Sequence, residues 1–514
     1  MKKRFLISIT IVIIIVFSII LININNKNNY AESPLEEYLV KQNEIDNEIK
    51  KEINNKDNTI DNPKIIVNPY EISPLTALII FRTEKEQSFE LIINGENVGT
   101  TEKNQKHSIP IYGLYENHEN VVKLVSDKEY EYIVKTSSVN VGEMKINKKS
   151  EKLDNKLYFL VGGQNPNNVA YDKDGNVRWY LDIDLAIDID FLDNGRILIG
   201  NGNGSSYVGY TGVLEIDYLG KIYKEYLLSG GAHHSILKMP NGNYMISTGS
   251  SVEEISWDYI VEIDPKTGKN VKEINLVEIF RSIDSSFVDD IEGESTFAYN
   301  NSVHYDEKSN TLTLSLRKLN SIINLDYDTL KLNWIYGEKK YWTENFDEYF
   351  IERIDNSRTS YGQHSVFYSD NKFGFFDNHV LDIYGEKCET LLKTYSSADI
   401  YEIKDGKFKN IFSFNAGKKY FSPYLSSFLE LENGNKLINY GYVLDKDEFK
   451  KVDCELDLYV KEPEVLLYET DEKGNVLLEA TFKGQAKQFI YKHNLYNSKV
   501  PSFLIQEYEL YKNY

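Results

Sequence analysis

AHHSILKMPNGNYMIS at 232–247 and GQHSVFYSDNKFGFFDN at 362–378 are one phrase written twice. In each, a histidine and a serine open an apolar strand. A turn asparagine, Asn241 or Asn371, stands seven residues after His234 or His364. Weaker copies occur at 188–200 (DIDFLDNGRILIG), at 426–441 (SSFLELENGNKLINYG) and at 300–317 (NNSVHYDEKSNTLTLSLR), the last with Lys308 in the turn position. A strand–turn–strand unit recurring every several dozen residues marks a propeller or a solenoid. The residue heading each copy varies: Ile187, His234, Asn301, His364 and Ser426.

Between these copies runs a second kind of hairpin, with Asp, Gly or Asn at its turn. Examples are NVAYDKDGNVRWYL at 168–181, YIVEIDPKTGKNVKEINL at 259–276 and VLLYETDEKGNVLLEATF at 465–482. Six such hairpins are present, and five alternate with the five headed copies. KLYFLVGG at 156–163 is available as a sixth inner strand, and a strand near 500–511 as the one that closes the ring. The expected fold is therefore all-β: a six-bladed propeller of four-stranded blades over 148–514. Asp172, Asp174 and Asn176 resemble the start of a calcium loop, but the bidentate glutamate that would end one is absent, and a plain hairpin turn is expected.

Upstream, residues 66–147 alternate in short strands (ALIIFRT, FELIING, HSIPIYGL, NVVKLVS, EYIVKTS) broken by turns such as Asn94–Gly95, which reads as a small β-sandwich. His107 and His118 lie there and are expected at surface or turn positions. Residues 31–65 are polar with isolated apolar positions, expected as a stalk or linker. Residues 1–30 hold Lys2, Lys3 and Arg4 followed by an apolar run from Phe5 to Ile22. This is expected to be a transmembrane anchor, or else a cleaved signal peptide, with the remainder outside the cytoplasm.

The 39 tyrosines and 24 phenylalanines suit a β-rich protein. A formal net charge of −21, with no basic cluster beyond the first residues, excludes a nucleic-acid partner of the ordinary kind. The two cysteines, Cys388 and Cys454, match no zinc spacing, and whether they pair is left open. No metal and no cofactor are called for.

In a propeller, residues heading the innermost strands converge on the axis. His234 and His364 therefore face one pocket, and Arg317, charged within the otherwise apolar LSLRKLNS, requires a partner or an anion. Two imidazoles and a guanidinium suit a negatively charged group, and a histidine also serves as a nucleophile. His233 is expected to point the other way unless the strand register swaps the pair.

The HHS, NNS…LSLR and GQHS…FFDN phrases, in that order, together with NPYEISPLTALIIF at 68–81 and HSIPIYGLYENHENVVKL at 107–124, are similar to the bacterial arylsulfate sulfotransferases that use no nucleotide sulfate donor. The resemblance runs from about residue 66 to the end. It implies a ping-pong transfer between a phenolic sulfate donor and a phenol acceptor through a sulfohistidine. His364 would be the nucleophile. His234 would stabilise the sulfuryl oxygens or protonate the leaving phenol. Arg317 would hold sulfuryl charge, and Asn301, Tyr299 and His233 would line the substrate. Tyr299 departs from the family, which has a histidine two residues before the Asn-Ser. A tyrosine donates a hydrogen bond but carries no positive charge at neutral pH. The competing reading is a binding or adhesion propeller without turnover. A metal-dependent sulfatase ranks last, since neither cysteine has basic neighbours of the needed kind. A homodimer is compatible with the sequence but not dictated by it.

Overall fold

The computed structural model describes residues 35–162, 168–183, 185, 188–201, 210–249, 257–289, 296–380, 394–443, 463–484, 486–492, 495–496, 499–503 and 505–513. The apolar run at 5–22, both cysteines and Ile187 lie outside this set. No helix among the described residues is long and apolar enough to cross a membrane.

The fold is all-β. The expected stalk contains a helix, Glu36–Asn54. From Glu44 onward it packs with the body, because Asp46 accepts from the Tyr70 hydroxyl at 2.6 Å and pairs with the buried Lys221 ammonium. Two small sheets follow. One runs in the order Lys64–Val67, Ala77–Gln87, Asn104–Ile111; the other in the order Glu96–Thr100, Glu90–Ile93, Glu119–Val125, Glu129–Lys135. Alternation decides which side chains turn inward: Val122 and Leu124 are buried while Val121 and Lys123 are not. His107 corrects the expectation of a surface residue. It is buried, stacked on Phe81 at 4.6 Å and edge-on to Phe89 at 5.2 Å. His118 is exposed as expected.

The remaining strands form six propeller-like sheets, each with a core of four antiparallel strands. Their first two strands are Gln488–Lys492 and Leu157–Val161 in sheet 1, Ile189–Phe191 and Ile197–Asn201 in sheet 2, and Ile236–Lys238 and Tyr244–Thr248 in sheet 3. They are Asn300–Asp306 and Thr311–Leu316 in sheet 4, His364–Ser369 and Lys372–Asp377 in sheet 5, and Ser427–Glu430 and Lys436–Val443 in sheet 6. Successive sheets pack face to face. Leu198 and Val213 of sheet 2 meet Ile246 and Val261 of sheet 3, and Tyr336 of sheet 4 meets Phe375 and Tyr401 of sheet 5. Strands buried on both faces explain runs such as LYFLV and TLTLSL, which are apolar or small throughout rather than alternating.

The serine of the repeated phrase has a structural task. Ser235 Oγ accepts from Val303 N (3.1 Å), Ser302 Oγ from Val366 N (2.9 Å), Ser365 Oγ from Phe428 N (3.1 Å) and Ser427 Oγ from Phe489 N (3.3 Å). Asp188 does the same for Ile236 N at 3.2 Å. Each first strand is thus hydrogen-bonded to the next, in the order sheets 2, 3, 4, 5, 6, 1.

Three expectations change. KLYFLVGG is the second strand of sheet 1, not its innermost; that place belongs to Gln488–Lys492, paired in register Gln488↔Val161 to Lys492↔Leu157. The late strand Glu509–Asn513 lies parallel on the outer edge of sheet 2 against Lys224–Leu228. Met144–Lys149, assigned by sequence to the sandwich and its border, is the outer strand of sheet 6, paired with Val476–Lys483. The reason is common to all three: pairing across hundreds of residues leaves no local pattern. At Asp172, Oδ1 takes the backbone N–H of Asp174 and of Asn176 at 2.9 and 3.0 Å, a hydrogen-bonded turn.

Candidate active site

The phrase places each head residue one position before its stitching serine, at the start of a first strand. His364 opens sheet 5 and is buried at 7% exposure. Its Nδ1 lies 2.7 Å from Asn378 Oδ1 and 3.1 Å from the Gly362 carbonyl. Asn378 is fully buried, and its Nδ2 donates to the Ser422 and Leu425 carbonyls at 2.7 and 3.1 Å. Those two carbonyls fix the amide's orientation. Its oxygen must then face His364, so Nδ1 carries the proton and Nε2 holds a lone pair. No hydrogen-bond partner occupies Nε2 among the described residues. Burial, then the Arg317 charge, pushes the His364 pKa down to about 3, so the ring is neutral at ordinary pH.

His234 heads sheet 3 at a left-handed φ of 48°. Its Nδ1 is 3.1 Å from Nδ1 of His233. Burial, together with the neighbouring His233, Lys487, His364 and Arg317, holds its pKa well below the usual histidine value. Arg317 and Lys487 both lower the pKa of His234 and of His364, so each cation lies within electrostatic reach of both rings. His233 is engaged at both ring nitrogens, one of them against His234. It is 5% exposed, and its Nε2 sits 3.0 Å from the Thr248 carbonyl.

Tyr299 stands beside His234, ring centroids 5.4 Å apart, and Arg317 lies 5.4 Å from the Tyr299 ring centre. Its place is set from behind. The buried Asp258 carboxylate accepts from the N–H groups of Phe297, Ala298 and Tyr299 at 2.6, 3.0 and 2.9 Å. Trp257, at φ 72°, packs on Tyr299 with centroids 4.3 Å apart. Asn301 is 2% exposed; its Nδ2 donates to the Gln363 carbonyl at 2.8 Å, leaving its oxygen as an acceptor. Ser426 is absorbed by the scaffold, its hydroxyl bonded to Ser422 Oγ at 2.9 Å and accepting from Gly441 N at 3.0 Å.

Sequence reasoning missed Lys487, the head of sheet 1. Its ammonium donates to the His234 carbonyl and pairs with Asp188 at 3.2 Å. Burial lowers its pKa, opposed by that carboxylate. The signal was the spacing Lys487, Gln488, Phe489, which repeats head, polar link and apolar residue, but KLYFLVGG at 156–163 offers itself for the same place. Asn378 and Trp257 were also missed. The hairpin register His364↔Phe376 brings Asn378 back beside His364, and counting from the Asp370–Asn371 turn would have found it. Nothing local marks Trp257.

The arrangement offers two neutral imidazoles, two cationic side chains and an aromatic wall. The profile of the arylsulfotransferase family (ASST) matches residues 143–492, and that of the arylsulfotransferase Ig-like domain matches residues 64–142. Their junction falls where the chain leaves the sandwich for the outer strand of sheet 6. No curated protein matches the chain. Among solved structures it is similar to hydrazine synthase of Kuenenia stuttgartiensis, at 13% identity over 56% of this chain, with TM-score 0.33. That match spans 64% of the hydrazine synthase chain, less than two thirds of it. An auxiliary nutrient binding protein from Bacteroides ovatus is similar at 10% identity over 80% of this chain and 94% of its own, with TM-score 0.35. The periplasmic gluconolactonase of Pseudomonas aeruginosa is similar at 9% identity over 79% and 99%, with TM-score 0.32. The chain belongs to the arylsulfotransferase family and carries that family's Ig-like domain ahead of its main domain.

Proposed function

We propose that the protein moves a sulfuryl group from a phenolic sulfate ester to a phenol by a ping-pong route, with His364 as the nucleophile. The observation that carries this reading is the bond from His364 Nδ1–H to Asn378, which leaves Nε2 as a lone pair on a ring that feels the charges of Arg317 and Lys487. In the first half-reaction that pair forms a bond to sulfur. The bond from sulfur to the aryl oxygen breaks, and its electron pair leaves on the phenolate. In the second, the acceptor oxygen bonds to sulfur, the sulfur–nitrogen bond breaks, and the pair returns to Nε2. Negative charge spread over three sulfuryl oxygens is stabilised by fixed cations in a water-poor site. Arg317 fills that role, and Lys487 adds a second positive charge. Tyr299 and Trp257, packed at 4.3 Å with their planes 38° apart, offer aromatic surface to an aryl ring.

The six sheets are read as blades of one propeller closed by Gln488–Lys492, so that the heads line a single channel. The apolar run from Phe5 to Ile22 supports reading the catalytic part as lying on the outer face of a membrane; its release by protease treatment of intact cells tests that reading.

The deciding experiment incubates the full-length protein with a fluorogenic aryl sulfate, with and without a phenol, beside His364→Ala. Acceptor-dependent release that the variant loses while keeping its urea midpoint supports the reading. No release from a folded wild type across several donors overturns it in favour of a binding-only propeller. Tyr299, uncharged beside His234, is the observation that favours that alternative, and Tyr299→His is then the next protein to assay.

A further inference from the structure

His233 has both ring nitrogens engaged, and neither engagement is with open space. A carbonyl oxygen only accepts, so the 3.0 Å contact with Thr248 puts the His233 proton on Nε2. Burial keeps this ring neutral, with a pKa pushed down to about 3. Its Nδ1 therefore holds only a lone pair. That lone pair lies 3.1 Å from His234 Nδ1. Two bare nitrogens at that distance would repel, so the proton between them belongs to His234. The consequence is on the far side of the His234 ring: its Nε2 is bare.

We propose that His233, anchored on the Thr248 carbonyl, is a positioning residue that holds His234 in the tautomer able to take the proton of an incoming phenol. The proposal rests on the sulfuryl-transfer reading of this site. In the acceptor half-reaction the phenol O–H proton passes to His234 Nε2 as the phenol oxygen bonds to sulfur. The sulfur–His364 bond breaks, and its electron pair returns to His364 Nε2. Protonated His234 still donates from Nδ1 to His233, so the pair keeps one geometry in both charge states. The proton then leaves to the phenolate released from the next donor, or to water. With both site histidines resting with bare Nε2, a first turnover finds no imidazole proton for the leaving group. The site therefore favours donors whose phenol is acidic enough to depart as the anion.

Two substitutions separate the two bonds of His233. In His233→Gln the side-chain amide N–H replaces Nε2–H toward Thr248, and the acceptor facing His234 is lost. In His233→Asn the amide oxygen stands near the place of Nδ1, and the Thr248 bond is lost. Expected for His233→Gln is phenol release in the first half-reaction within about twofold of wild type, with acceptor-dependent turnover down about 10–100-fold. The loss should shrink as the acceptor phenol becomes acidic enough to arrive ionised. His233→Asn should retain most acceptor turnover. If both variants lose both half-reactions alike, in step with their melting temperatures, His233 is only structural and the proposal fails. Equal wild-type behaviour of both also overturns it. A readout independent of turnover is nitrogen NMR of histidine-labelled protein. His234 should show a protonated Nδ1 and a bare Nε2 in wild type, shifting toward the other tautomer in His233→Gln. A protonated Nε2 on neutral wild-type His234 refutes the proposal, whereas an inactive wild type with the expected tautomer refutes only the sulfuryl-transfer reading.

Discussion

The chemistry of this site is set by which ring nitrogen carries a proton, and a single buried amide decides that for His364. Replacing Asn378 by leucine keeps the volume and removes the acceptor, freeing the ring to rotate and to change tautomer. The expected result is a loss of about 10²-fold in single-turnover phenol release, with folding stability lowered by about 1–3 kcal/mol for the two carbonyls left unpaired. Arg317→Gln tests charge instead of orientation. It should slow the same step by about 10²–10³-fold, measured again by the release burst. The register of the phrase made His234 and His364 legible in the sequence. Tautomers were not legible, because they are written in contacts with Thr248, Ser422 and Leu425 that only the folded chain brings together.

At the scale of the strand, the repeated serine is a stitch between neighbouring sheets and the residue before it is the one free to vary. This explains why the sequence repeats Ser while its heads differ. Ser302→Ala removes one stitch and leaves Val366 N without its partner; an urea titration should show about 1–3 kcal/mol lost, with the first half-reaction little changed. Gly441 answers to a different constraint. A Cβ there would stand 1.9 Å from the Ala486 carbonyl oxygen, and Ala486 immediately precedes Lys487. Gly441→Ala should therefore displace the head of sheet 1 and, on the proposed function, raise the inhibition constant for sulfate. Hairpins with Asp, Gly or Asn turns were legible, since their turns lie within the segment. Gln488–Lys492 was not, because LYFLV reads equally well as an innermost strand and only the long-range pairing separates the two roles.

For the molecule as a whole, histidines shielded from water weaken it in acid. His304, a half-buried residue of the first strand of sheet 4 whose Nδ1 accepts from Tyr368 N at 3.3 Å, and the buried His107 are held to about 4, and the buried His233 and His364 to about 3, chiefly by desolvation. Each binds its proton more weakly when folded than in the unfolded chain, where a histidine titrates near 6.5. Stability is then independent of these groups above that value. It falls as pH drops from about 6.5 toward 4 and 3, by up to about 1.4 kcal/mol per unit for each histidine. The buried carboxyls of Asp190, Asp217 and Asp258, raised to about 6 by burial, act the other way in the same window. The histidine contribution is therefore read as a difference: the stability of wild type relative to His107→Phe should fall as pH drops from about 6.5 toward 4, and a constant difference would contradict the burial of that ring. The order of assembly carries one more consequence. The strand holding Lys487 pairs with Leu157–Val161, so sheet 1 joins the two ends of the main domain. During synthesis the first four strands of five sheets, and three of the four strands of sheet 1, precede that strand. Until then the exposed edge of Leu157–Val161 remains a template for any passing strand. A nascent chain is thus vulnerable until Gln488–Lys492 is delivered, and a chaperone that covers that edge should raise the folded yield.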